Sequence, residues 1–287
     1  MLKKLFFTFF CLVAFGVGAQ NPGHLLFHSA FEKQVFFKEE DNLGRLLMAD
    51  PNSTDLEKNE HSRLLDEYIM HLQGKRAKFR SELDFISMVF YKTHRRFLKQ
   101  YTPLTSFGEM LKEKNYDCLS ATTLYTVLLE RLGVKHEVIE TTYHIYMKVT
   151  TQEGEALIES TDPIYGFVTD PGEIKSRLKG FLSRDVRKKN EEYSFASKIH
   201  DPVSRTGLVG LQYYNAAIQA YNNGEFEDSI NLLQKALFFR RNARMDEFGL
   251  LLVQTILDHP TLSADDKSVY VNKIAGPIDF EIALASR

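Results

Sequence analysis

The sequence predicts an α+β fold: a helical N-terminal region, a central helix packed on an antiparallel sheet, and C-terminal helical hairpins. Three observations carry this. Apolar residues recur at helical spacing through most of the first hundred residues. Between about 118 and 161 one strongly apolar helix gives way to several β-branched, aromatic runs. Beyond Gly210 the helical period returns. One helix followed by antiparallel strands is an α+β arrangement rather than a parallel one.

The chain opens with Lys3-Lys4, an apolar run from Leu5 to Val17, and the small residues Val17-Gly18-Ala19. This charged, apolar, small-residue order predicts a signal peptide over residues 1–19, cut between Ala19 and Gln20. The run is shorter than the roughly 20 residues that span a bilayer, so cleavage is expected rather than anchoring. Cys11 lacks the small residues that precede a lipid-modified cysteine. The protein is therefore expected to be exported, periplasmic or extracellular, with no membrane span after cleavage.

Residues 20–84 are expected to form the helical N-terminal region. Leu64-Leu65, Tyr68-Ile69 and Leu72 follow one helical stripe, and Leu83, Ile86, Val89-Phe90 and Phe97 another. Asp50-Pro51-Asn52-Ser53 interrupts the region with turn residues, Thr102-Pro103 closes it, and Phe107, Met110 and Leu111 mark a short helix. The core is expected over 85–195. Leu119, Ala121, Leu124, Leu128 and Leu132 form a stripe capped by Asp117 at its start and Gly133 at its end. His136 to Glu140, Tyr143 to Thr150 and Ala156 to Thr161 read as strands. Asp170-Pro171-Gly172 and the charged stretch from Arg184 to Glu192 read as exposed connections. A second helical region is expected over 205–287.

Composition excludes several functions. The net charge is −2, and removing Lys3 and Lys4 from the 36 basic residues leaves 34 against 38 acidic ones, a net −4. Nucleic acid binding would call for a basic excess on one face. The clusters at Lys75-Arg76, Lys78 and Arg80, and at Arg184, Arg187, Lys188 and Lys189, are interrupted by Phe79 and Asp185 and read as solvated helix faces. No His-Glu-x-x-His, no cysteine pair for zinc and no phosphate loop ending in Gly-Lys-Ser/Thr is present, so neither a metal site nor a cofactor is expected.

The chemistry expected instead is that of a thiol. Of 2 cysteines, Cys11 leaves with the signal, so Cys118 has no partner in an oxidising compartment. Such a cysteine is either buried and inert or a working nucleophile. A helix start favours the thiolate, although the charge of Asp117 works against it and a cationic neighbour is still needed. Among 9 histidines, His144 stands mid-strand on the face of Tyr146 and Lys148, opposite Ile145, Met147 and Val149. A five-residue hairpin loop over 151–155 pairs position 150 with 156 and thereby sets His144 opposite Asp162. Paired Cβ atoms lie roughly 5 Å apart, within reach of a ring. Glu159, of opposite parity, would face away; a bulge or a four-residue loop would reverse the two. The expected catalytic set is Cys118, His144 and Asp162.

Asp117 to Tyr125 with Leu128 to Val134, Tyr143 to Val149, and Ser160-Thr161-Asp162-Pro163 resemble the cysteine-helix, histidine-strand and aspartate motifs of transglutaminase-like domains, in the family's order. The resemblance spans about residues 85 to 167. It implies a papain-like thiol site, with Cys118 as nucleophile, His144 as base and acid, and Asp162 as orienter. Asn115-Tyr116-Asp117 stands where the family often has a glycine, and Ile145 where an aromatic commonly follows the histidine. The oxyanion donors implied are the Cys118 N–H and an upstream polar group, Tyr116 or Asn115. Tyr213, Ala216-Ala217, Ala220, Gly224, Phe226, Ile230, Ala236 and Leu237 resemble one tetratricopeptide repeat, with Met245 to Leu257 the start of another. An ordinary helical hairpin packed on the core fits the same spacing.

The expected function is that of an exported thiol enzyme acting on an amide of a peptide or protein substrate. Water as acceptor gives a peptidase or amidase, an amine gives acyl transfer, and the sequence is compatible with both. The alternative is a non-catalytic binding module whose C-terminal helices receive a peptide or protein partner.

Overall fold

The computed structural model describes residues 25–50, 53–187 and 199–275. The expected signal peptide lies outside the described residues.

Four helices lead the described residues: α1 (Ala30–Val35), α2 (Asn42–Leu47), α3 (Asp55–Arg76) and α4 (Glu82–Phe97). Thr54 and Glu57 form a reciprocal capping box at the start of α3, and Ser81 caps α4. Leu65, Tyr68, Ile69 and Leu72 are the buried positions of α3, as their spacing predicts. Two short parallel strands, β1 (Gln100–Tyr101) and β2 (Asn115–Tyr116), then bracket α5 (Phe107–Glu113).

The central helix α6 (Cys118–Arg131) is buried along nearly its whole length, and Gly133, at φ +70°, ends it in the left-handed conformation that favours glycine. Next come β3 (His136–Thr141), β4 (Ile145–Thr151), β5 (Gly154–Ile158), β6 (Phe167–Val168), α7 (Pro171–Arg187) and β7 (His200–Pro202). The five strands form one antiparallel sheet in the order β6-β5-β4-β3-β7. The fold is thus mixed α and β with an antiparallel sheet.

Alternation of side chains gives that sheet two covered faces. Val138, Ile145, Met147, Val149, Ala156 and Ile158 join the cluster that contains Leu124 and Leu128 of α6. Ile139, Tyr146, Leu157 and Val168 form a smaller cluster with Phe181 of α7. The helix α7 corrects the reading of Asp170-Pro171-Gly172 as a connection. Asp170 accepts a hydrogen bond from the Glu173 N–H at 2.7 Å, Pro171 is the first helical residue, and the helix carries on through Arg184 to Arg187. Residues 188–192 of the expected charged connection lie outside the described residues.

Four helices complete the described residues: α8 (Arg205–Asn222), α9 (Phe226–Phe239), α10 (Ala243–Asp258) and α11 (Ala264–Ala275). The large cluster runs without a break from α1 and α2 through α6 to α8, α9 and α10. A buried ion pair marks the junction. Lys235 Nζ donates to Glu32 Oε1 at 2.7 Å, and the Tyr213 hydroxyl donates to the same oxygen at 2.7 Å. Both charged side chains are almost wholly enclosed, and burial pulls the Lys235 ammonium below its ordinary pKa range, against the attraction of Glu32.

Candidate thiol site

Asp117 is the N-cap of α6 and places Cys118 at its first helical residue. The Ser120 N–H donates to Asp117 Oδ1 at 2.7 Å, and the Asp117 N–H donates to Ser120 Oγ at 2.9 Å. Asn215 of α8 donates to the other carboxylate oxygen at 3.1 Å. Burial pushes the Asp117 carboxyl above the usual range, opposed by the donors from Ser120.

His144 ends the turn between β3 and β4. Its carbonyl accepts from the Thr141 N–H at 2.7 Å and from the Thr141 hydroxyl at 3.1 Å. The ring lies against Phe181, with centroids 5.1 Å apart, and its Nε2 hydrogen-bonds Glu159.

The expected partner Asp162 does not hold this ring. The β4–β5 hairpin pairs Thr151 with Gly154 and Met147 with Ile158, so its loop is the two residues 152 and 153 rather than five. That register puts the even positions of β4 on the same face as the odd positions of β5, so His144 shares a face with Glu159 and not with Asp162. Asp162 instead accepts from the N–H groups of Ile164 and Tyr165, at 3.1 and 2.8 Å, and closes the turn after β5. Gly166 completes that turn, where a Cβ would strike the carbonyl oxygens of Glu159 and Asp162 and the Phe90 ring.

Glu159 is buried and well satisfied. Its Oε1 accepts from the Thr161 hydroxyl at 2.7 Å and from the Thr161 N–H at 3.2 Å, while Oε2 faces His144. Burial opposes ionisation, but the His144 hydrogen bond and charge, together with Thr161, outweigh it and hold this carboxyl below the usual range. Its neighbour Ser160 reaches α6, donating to the Cys118 carbonyl at 3.4 Å and meeting the Thr122 hydroxyl at 3.1 Å. The strand end that carries the carboxylate is thereby tied to the residue that carries the sulfur.

The helix start does not lower the Cys118 pKa. Burial, then the negative charges of Asp117 and Glu159, push the thiol up to about 12, opposed by Arg244 and by its own backbone N–H. A half-buried thiol that feels two carboxylates stays protonated unless a cation joins it.

The expected oxyanion groups lie on β2. Tyr116 is buried, its ring edge-on to His94 and to Tyr101 at 5.6 and 5.8 Å, while Asn115 is half-buried and pairs with Gln100 in the β1–β2 register. Sequence reasoning missed Tyr101, which is 53% exposed. Burial first, then the charges of Cys118 and Asp117, raise the Tyr101 hydroxyl to about 12. Among the described residues, no three His, Cys, Asp or Glu side chains are grouped to hold a metal ion, and no helix is long and apolar enough to cross a membrane.

Comparison of the chain with protein-family models, with curated proteins and with solved structures returned no match.

Proposed function

We propose that this protein is a thiol enzyme of transglutaminase-like type, acting on amide bonds with Cys118 as nucleophile, His144 as base and acid, and Glu159 as orienter. The observation that carries this reading is the His144–Glu159 hydrogen bond on a strand end that is itself tied to the Cys118 backbone. The motif order and the packing of a cysteine helix against an antiparallel sheet support it further.

With Nε2 engaged by Glu159, Nδ1 is the ring nitrogen that this reading assigns to proton exchange once the ring meets the sulfur. The thiol proton passes to Nδ1, and the imidazolium is stabilised by Glu159 and in turn stabilises the thiolate. The sulfur attacks the carbonyl carbon, and the carbonyl π pair moves to oxygen. The Cys118 N–H is one donor to that oxyanion, and Tyr101, whose ring meets that of Tyr116 two residues before Cys118, offers a hydroxyl as a second. Collapse expels the amine, which takes the proton from His144 and leaves a thioester. Water then gives hydrolysis, and an amine gives transfer. A raised thiol pKa at rest is compatible with this cycle, because the thiolate is needed only as an ion pair.

The same raised pKa favours a second reading, a binding module whose Cys118 is inert. Incubation with a 4-nitrophenyl ester distinguishes them. A stoichiometric burst of nitrophenolate, with the acyl group found on Cys118 by mass spectrometry and absent from Cys118→Ser, supports the enzyme. A native protein that takes up no acyl group, but labels once unfolded, supports the module. Mass spectrometry of envelope fractions incubated with the protein then separates released amines from new cross-links.

A further inference from the structure

We propose that Arg244, on the C-terminal helix α10, is a positioning residue for His144, so that the C-terminal helices form part of the thiol site. This rests on the functional reading above and extends it to a region that no motif connects to the chemistry.

The turn that presents His144 is held from two sides. Thr141 grips the His144 carbonyl through both its N–H and its hydroxyl. The next residue, Thr142, accepts at its carbonyl from Arg244 Nη1 at 2.8 Å and at its hydroxyl from the Ile199 N–H at 3.1 Å. Arg244 Nη2 also pairs with Glu140, the residue before Thr141. One guanidinium thus bridges a side chain and a carbonyl two residues apart, across the bend that leads into His144. Its planar fork suits two such acceptors in a way an ammonium does not.

The guanidinium is itself fixed. It lies over the Tyr214 ring of α8, 5.1 Å from the centroid, and its side chain is only 15% exposed. Asn242 caps α10 by accepting from the Met245 N–H at 3.0 Å, and donates to Glu140 at 3.1 Å. Arg240, at the end of α9, donates twice to Glu140 Oε2, at 3.0 and 2.8 Å. The α9–α10 corner is thus docked on the end of β3. Arg244 is also the charge that opposes the rise of the Cys118 pKa.

Arg244→Ala leaves Glu140 with Arg240 and Asn242, so the anchor of the corner survives while the bridge to Thr142 is lost. The measurement is the pair of 15N ring resonances of His144 in the full-length protein, with Cys118 alkylation by iodoacetamide as a second readout. We expect Arg244→Ala to shift or broaden the His144 signals and to slow alkylation near neutral pH by roughly tenfold, since misplacing a reactive group by about 1 Å can cost on the order of 100-fold. Arg244→Lys should restore part of both. Arg241→Ala, which breaks the Arg241–Asp246 pair on the same corner, should change neither. Should the alanine variant not fold, Arg244→Met keeps the apolar stem over Tyr214 and carries the same readout. Unchanged His144 signals in a folded Arg244→Ala or Arg244→Met protein would overturn the proposal. Because the imidazole signals need no reactivity, a Cys118 that proves inert in the wild type would refute the enzyme reading while leaving this test in force.

Discussion

Replacing Glu159 by Gln removes one charge and tests how the site is wired. The two carboxylate oxygens have separate duties, one accepting from Thr161 twice and the other facing His144 Nε2. An amide can fill only one. If its oxygen stays with Thr161, its NH2 meets His144, so Nε2 must accept and the ring proton moves to Nδ1, where the base is needed. If the amide is reversed, the NH2 confronts the two Thr161 donors. In the first orientation acylation by a 4-nitrophenyl ester should fall by on the order of 10⁴, the scale seen when an orienting carboxylate becomes an amide. Loss of hydrogen bonds to a buried charge should also cost about 1.5–3 kcal/mol in stability, read by urea unfolding. The pH dependence follows in sign. The folded carboxyl titrates below its unfolded value of roughly 4.3, so its stabilisation is present above that value and lost as pH falls through the folded one. Glu159→Gln should lack that acid limb. Asp162→Asn is the control, because an amide oxygen can still accept from Ile164 and Tyr165. Full acylation in Glu159→Gln together with loss in Asp162→Asn would refute the assignment and restore Asp162 as orienter.

Three further outcomes are expected. Gly166→Ala should destabilise the fold by about 1–3 kcal/mol in thermal or urea unfolding, because its Cβ meets backbone oxygens that cannot rotate away. Lys235→Ala, which leaves Glu32 charged and enclosed, should cost about 3–5 kcal/mol by the same measurement, while thiol acylation in the surviving folded fraction is unchanged. Tyr101→Phe should slow ester acylation by roughly 100-fold as the loss of an oxyanion donor, while iodoacetamide alkylation, which builds no oxyanion, stays within about twofold.

The elements were legible where local chemistry decides them. Asp117 and Gly133 bound α6 because a cap and a left-handed residue are properties of short sequences. The alternation in β4 separates Tyr146 from Ile145, Met147 and Val149, as read. The pairing of His144 was not legible, because it turns on a loop length set from elsewhere in the fold. Glu153, at the tip of the two-residue turn, accepts from the Glu82 N–H at 2.9 Å and from the Ser81 hydroxyl, so it helps cap α4. That contact spans some seventy residues, so no local pattern records it, although Thr151 also braces the turn from within, accepting from the Glu153 N–H at 3.2 Å and donating to the Gly154 carbonyl at 2.9 Å. The thiol pKa escaped for a similar reason, since burial and Glu159 act on it through the tertiary fold. By contrast, α7 carried a readable signal in Asp170-Pro171, a cap followed by proline at the first helical position.

The functional account stands on the sulfur of residue 118 and the imidazole of residue 144 acting as a unit, and the rate of Cys118 alkylation from pH 5 to 11 in wild type and in His144→Ala tests this most directly. The account predicts that in the wild type an imidazole-dependent limb precedes the thiol's own titration. In the variant that limb should vanish, leaving a rate that climbs only towards the raised thiol value of about 12. Superimposable profiles from two folded proteins would contradict it.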